Sequence, residues 1–206
     1  MTKLVKLDRA FYWAAADGPG IEQCRLRSDE IDDGYVMHGL ALGIASDGRE
    51  KGKPYRLTYK LKTDAGWCTR KAVLEAQIGD AQQTTRILRS DGKGRWKDEH
   101  GDRIEAFDGC IDIDLWATPL TNTLPLRRLA LRTGGFKPGG RETIQVLWVT
   151  GPTLAMKKAP QHYTLQPPGS SGARALFEDG ASDFRAEIAL DRDQFVTDYP
   201  GLFRRL

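Results

Sequence analysis

Residues 55–63 read Tyr-Arg-Leu-Thr-Tyr-Lys-Leu-Lys-Thr, and their period is two. Tyr55, Leu57, Tyr59 and Leu61 fall on one side; Arg56, Thr58, Lys60 and Lys62 fall on the other. Successive side chains of a strand point to opposite faces, so the stretch predicts a β-strand with one face in a core and one in water. The habit continues in Arg70 to Ile78, with Ala72, Leu74, Ala76 and Ile78 on one face. Thr84 to Arg89 and Arg95 to Lys97 flank Ser90-Asp-Gly-Lys-Gly94, a hairpin-type turn that predicts an antiparallel pair.

Working outward, Phe11 to Ala15, Glu22 to Arg27 and Tyr35 to Leu42 read as strands separated by Asp, Gly and Pro clusters. On the C-terminal side, Thr143 to Thr150 is rich in β-branched and aromatic residues and predicts a well-buried strand. Gln161 to Gln166 and Ala173 to Glu178 predict two more, joined by a flexible Pro167 to Gly172 connection. Phe184 to Leu190 and Phe195 to Tyr199 follow, with a turn near the C-terminus. Helix signals are few and short; the best is Leu124 to Leu131, with Pro125 in a first turn. The expected class is mainly β: one domain over residues 1–206, a strongly curved antiparallel sheet forming a half-barrel or open barrel.

With 206 residues, 40% hydrophobic, the chain is long enough for one sizeable core. A net charge of +3, from 31 basic and 28 acidic residues, is too small and scattered to suggest nucleic acid as a partner. No stretch approaches the ~20 apolar residues of a membrane helix, and Asp8 and Arg9 interrupt any signal-peptide core. The expectation is therefore a cytoplasmic protein that is not integral to a membrane. Cys24, Cys68 and Cys110 show no CxxC spacing, and His38, His100 and His162 stand far apart. Neither a metal site nor a cofactor is expected.

The stretch from Asp108 to Leu129, DGCIDIDLWATPLTNTLPLRRL, holds the chemistry. Within Cys110 to Leu115, Ile111, Ile113 and Leu115 face one way, and Cys110, Asp112 and Asp114 the other. Two such carboxyls, about 6–7 Å apart along a strand, raise each other's pKa unless donors or cations stand near. Arg127 and Arg128 are the local candidates, with Arg70 and Lys71 from an earlier strand. Thr118 to Thr123 reads as an ordered turn whose short polar side chains cap the backbone. Three readings of this face stay open: a polar set beside an apolar cavity, an acid pair of glycosidase type, and surface ion pairing; for the whole protein, an interaction module with a flat apolar patch at a sheet edge is a further alternative. No GxSxG, phosphate-loop or GxGxxG motif supports the second, and parallel acids on one strand face suit it poorly.

Trp13, Trp67, Trp96, Trp116 and Trp148 are spread along the chain, suited to core packing or to the wall of a ligand cavity. Several ordered motifs run together: Trp67-Cys-Thr-Arg70, Asp91-Gly-Lys-Gly-Arg-Trp96, Asp108-Gly-Cys-Ile-Asp-Ile-Asp-Leu115, Thr118-Pro-Leu-Thr-Asn-Thr-Leu-Pro-Leu-Arg-Arg-Leu129, Gln161-His-Tyr-Thr164 and Asp198-Tyr-Pro-Gly-Leu-Phe203. Over nearly its whole length the chain resembles the bacterial family described as putative glycolipid-binding. The resemblance implies a curved sheet like that of Lol-type lipoprotein carriers and of mycobacterial lipoproteins that carry glycolipids. It implies an amphiphilic small molecule as partner, and it supplies no catalytic residue. The positions that match the family's polar signature are Trp67, Arg70, Asp112, Asp114, Thr118, Thr121, Asn122, Arg127, Arg128, Tyr163 and Tyr199. Trp67, Arg70 and Tyr163 join the central segment as the expected contacts of a head group.

Overall fold

The computed structural model describes residues 4–16, 18–46, 48–133, 139–169 and 172–206, and within them the period-two stretches join into one sheet. Its strands are β1 (Asp8–Ala15), β2 (Gly20–Asp29), β3 (Gly34–Ile44), β4 (Pro54–Asp64), β5 (Thr69–Ile78), β6 (Thr84–Ser90), β7 (Trp96–Lys97), β8 (Asp112–Leu115), β9 (Arg141–Thr150), β10 (Ala155–Gly169), β11 (Gly172–Asp179), β12 (Arg185–Leu190), β13 (Val196–Tyr199) and β14 (Phe203–Arg205). One α-helix, α1 (Leu120–Thr133), stands between β8 and β9. The sheet order is β7-β6-β5-β4-β3-β2-β1-β14-β13-β12-β11-β10-β9-β8, so the two ends of the chain meet in mid-sheet.

The alternation that predicts β4 carries through: Leu57, Tyr59 and Leu61 are buried, and Arg56 and Lys60 are exposed. Ala72, Leu74 and Ala76 of β5 enter the same core. The hairpin at Ser90–Gly94 forms, with Ser90 opposite Trp96; Asp91 Oδ1 accepts the Lys93 and Arg95 amides at 2.7 and 3.0 Å.

The strictly antiparallel expectation fails at one edge. β8 and β9 are parallel neighbours, Asp112 opposite Val146 and Asp114 opposite Trp148, and all the other neighbouring pairs are antiparallel. Parallel neighbours need a long crossover, and α1 supplies it. Such strands are commonly covered on both faces. Here Ile113 and Leu115 are buried on one side and Asp112 on the other.

The helix starts four residues before the expected Leu124, so Thr121, Asn122 and Thr123 are helical rather than part of a turn. Thr118 Oγ1 accepts the Leu120 amide at 3.0 Å, satisfying one of the first free N–H groups. Pro125 lies inside the helix rather than in its first turn, and it removes one i to i−4 bond. Tertiary burial holds the helix despite that: Leu120 and Leu124 join the larger core, and Leu126 joins a smaller one with Tyr163, Phe177 and Ile188.

Two further differences are local. The C-terminal turn continues into β14, which pairs with β13 and β1. The connection expected over Pro167 to Gly172 narrows, because Gly169 pairs with Gly172; residues 170–171 lie outside the described residues. The sheet does not close between β7 and β8. Trp96 spans the gap, donating its indole N–H to the Cys110 carbonyl at 2.7 Å, and the Gly109 amide donates to Gly94 O at 2.9 Å.

Candidate functional site

Strand alternation puts Asp112 and Asp114 on one face of β8, and α1 runs back across that face. Asp112 therefore meets the later part of the helix and Asp114 its first turn. Arg128 grips Asp112 with both arms of its fork, Nε to Oδ1 at 3.2 Å and Nη2 to Oδ2 at 2.5 Å. Both side chains are buried, at 1% and 10% exposure. Burial pushes the Asp112 carboxyl up, and the guanidinium opposes that shift.

Among the described residues no cation pairs with Asp114. Thr121 Oγ1 donates to its Oδ1 at 2.8 Å, and Gln161 Nε2 donates to its Oδ2 at 2.7 Å. Burial again raises this carboxyl, the two hydrogen bonds oppose the shift, and the charge on Asp112 adds a smaller upward push. The network extends further: Asn122 Nδ2 donates to the Tyr163 hydroxyl at 3.0 Å, and that hydroxyl donates to Gln161 Oε1 at 3.2 Å.

Above this network lies a cavity of about 450 Å³. Asp114, Thr118, Asn122, Gln161, Asp179 and Ser182 form its polar part; Trp116, Trp148, Phe177, Phe184, Tyr199, Leu202 and Phe203 are among its apolar walls. Asn122 and Gln161 are almost wholly buried, whereas Phe184 is 42% exposed. Thr118, Asn122 and Gln161 thus sit deep, and Phe184 and Ser182 face outward.

Of the positions singled out from the sequence, Asp114, Thr118, Asn122 and Tyr199 line this cavity. Thr121 and Tyr163 stand one hydrogen bond behind it, and the Asp112–Arg128 pair is not part of its lining. Trp67 lies in the larger core, stacked on Tyr35 with ring centroids 4.2 Å apart. Arg127 covers Trp67 at 4.3 Å and Phe195 at 4.9 Å, and donates to the Asp193 carbonyl. Arg70 is exposed, 3.6 Å from Asp64. Trp67, Arg70 and Arg127 therefore stand away from this cavity, and Tyr163 reaches it only through Asn122 and Gln161.

Of the five tryptophans offered as cavity wall, Trp116 and Trp148 line it, and sequence reasoning passed over Gln161, Phe177 and Phe203. Gln161 had a usable signal, because it shares a strand face with Ala159 and Tyr163. Glu22 was also missed, although it alternates with Cys24 and Leu26 on the inward face of β2. It is 2% exposed, accepts the Tyr59 hydroxyl and leaves Oε2 without a partner among the described residues. Burial pushes its carboxyl up to about 8. Among the described residues no group of three or more His, Cys, Asp or Glu side chains could hold a metal ion.

The model of the family described as putative glycolipid-binding matches residues 10–205. The chain belongs to that family. It is similar to the solved structure of a DUF1089 family protein from Pseudomonas aeruginosa, with 36% identity and a TM-score of 0.75, over 90% of this chain and 92% of that one. It also resembles a β-barrel-like protein of the domain of unknown function DUF1849 from Brucella abortus. There the identity is 11% and the TM-score 0.56, over 100% of this chain and 98% of that one, so the likeness concerns the fold alone. No curated protein matches the chain. Among the described residues no helix is long and apolar enough to cross a membrane.

Proposed function

We propose that this protein binds an amphiphilic small molecule, a glycolipid in keeping with its family, without performing chemistry on it. One observation carries the reading: the cavity of about 450 Å³ between α1 and the β8–β14 side of the sheet. Ligand sites commonly occupy about 300–1,000 Å³, mostly apolar with a few convergent polar groups. This one combines aromatic walls with six polar side chains, three of them (Thr118, Asn122 and Gln161) nearly buried. Apolar parts of a ligand gain about 25 cal/mol per Å² on leaving water. Hydroxyls reaching the floor meet groups already held in place, so little ordering remains to oppose binding. A cytoplasmic setting goes with this reading, since the three cysteines are free thiols.

The glycosidase-type reading loses support, because Asp112 is held by Arg128 and does not line the cavity with Asp114. A protein-interaction role has one observation in its favour. Tyr12, Ile21, Leu42 and Ile44 are each 41–49% exposed on the outer face of β1–β3, and Ile21 pairs with Leu42.

Native mass spectrometry of protein purified from its own host tests the main reading. A bound mass that identifies as an amphiphile, and that disappears on organic extraction, is expected. An unliganded mass, together with no uptake of added glycolipid, refutes it.

A further inference from the structure

Trp116, Leu202 and Phe203 belong to two cavities. They wall the one described above and also one side of a second, of about 240 Å³. The two hollows differ chemically. The first holds Asp114, Asn122 and Gln161 at depth. The second is a trough along Gly20, Gly43, Ile44 and Tyr55, with no charged side chain among its described lining residues. Trp116, whose ring lies 5.6 Å from that of Tyr55, stands at the junction of the two.

We propose that the two hollows are one site for a single-chain amphiphile bound head inward. An uncharged, hydroxyl-bearing head lies on Asp114, Asn122 and Gln161, and the tail crosses Trp116 and Phe203 into the Gly20–Gly43 trough. The proposal rests on the ligand-binding reading of the first cavity and adds which end of the ligand enters it.

Three observations carry it. First, Thr118, Asn122 and Gln161 are deep, whereas Phe184 and Ser182 are outward. A tail pushed in first would strip water from Asn122 and Gln161 without replacing the hydrogen bonds, and that desolvation is costly. Second, the charge selects the head. Asp114 and Asp179 line the first cavity with no Lys or Arg among its described lining residues, so a phosphate or carboxylate head meets repulsion. A cationic head finds both Asp114 oxygens already accepting, from Thr121 and from Gln161. Hydroxyls can donate to their remaining lone pairs and accept from an amide N–H. Third, Trp116, Leu202 and Phe203 are common to both linings, so a tail that leaves the head along them stays against apolar side chains.

Isothermal titration calorimetry of the whole protein with hexyl, octyl and decyl β-D-glucoside, each below its micelle concentration, tests the arrangement. Octanoate and octylamine serve as charged-head probes. The glucosides are expected to gain about fourfold in affinity per buried methylene, and the charged probes to bind at least tenfold more weakly than octyl glucoside. At Gly18, on the trough wall, an added Cβ would meet nothing within 4 Å, so Gly18→Leu projects into open space. That variant should flatten the chain-length dependence while sparing hexyl glucoside. In the unsubstituted protein, NMR contacts should join the terminal methyl of octyl glucoside to Gly43 and Ile44, and its sugar protons to Asn122 and Gln161. Sugar contacts to the trough, a chain-length dependence untouched by Gly18→Leu, or tighter binding of octanoate or octylamine overturns the head-inward arrangement while leaving an amphiphile site in place. No binding by any probe overturns both readings.

Discussion

Replacing Arg128 by alanine isolates what the buried pair on β8 and α1 does. The substitution leaves Asp112, 1% exposed, without the two bonds at 3.2 and 2.5 Å that hold it. Removing one partner of a buried ion pair typically costs about 3–5 kcal/mol. The carboxyl has an escape, because it can take up a proton. From an unfolded-state pKa near 3.9, that costs about 4 kcal/mol at pH 7 and about 1.5 kcal/mol at pH 5, at 1.36 kcal/mol per unit. Burial already raises Asp112, and losing the opposing guanidinium raises it further. A raised folded-state pKa means the protonated form's contribution is intact below about pH 4 and is lost as pH rises. The deficit of Arg128→Ala relative to wild type should therefore grow from about 1.5 kcal/mol at pH 5 to about 4 at pH 7, a fall in Tm of roughly 8–16 °C at the higher pH. Urea unfolding followed by tryptophan fluorescence at both pH values measures it. Adding Asp112→Asn to the variant should recover most of the pH 7 loss and remove its pH dependence. A deficit below about 1 kcal/mol, or one equal at both pH values, would refute a charge buried and matched by Arg128.

Glu22 provides a second pH test. Its carboxyl rises from 4.5 to about 8 on burial, so its contribution is full below pH 4.5 and lost as pH climbs to about 8. Wild-type stability relative to Glu22→Gln should fall over that window by at most about 1.4 kcal/mol per pH unit; parallel curves would contradict it. Gly39→Ala places a Cβ 2.1 Å from the Tyr59 ring, which is buried and bonded to Glu22. Loss of soluble protein, or a deficit at or beyond the ~1–3 kcal/mol of ordinary overpacking, is expected in a melting experiment. A near-wild-type Tm would show that the ring can move. Trp96→Phe strips the Cys110 carbonyl of its donor and should cost about 1–3 kcal/mol, with faster hydrogen exchange at the Gly109 amide; unchanged exchange would mean the β7–β8 gap is held by other contacts.

How far the sequence could be read depends on which elements meet. β4 and β5 were legible because one face of each is buried and the other wet, the condition under which alternation reports burial. β8 and β9 were not fully legible, since both their faces are covered and the partner of β8 lies beyond a helix. The start of α1 was obscured by Thr121, Asn122 and Thr123, polar residues in a helix with little contact with water. Asn122 is met by Tyr163, 41 residues away, and Thr121 by Asp114, 7 residues back on β8, although Thr123 Oγ1 has no partner among the described residues. The strand at the C-terminus is three residues long, too short to show a period.

By itself the sequence determined the β class, most of the strands, the hairpin turn and the family. These follow from local sterics, from side-chain alternation and from motifs that lie contiguous along the chain. It also put Asp112 and Asp114 on the same strand face. Tertiary structure alone decided their different fates. Because α1 runs antiparallel to β8, Asp112 meets Arg128 and is neutralised, whereas Asp114, two residues on, meets Thr121 at the helix start and opens onto the cavity. A period of two fixes where a side chain points; which group stands opposite depends on the direction of the crossover.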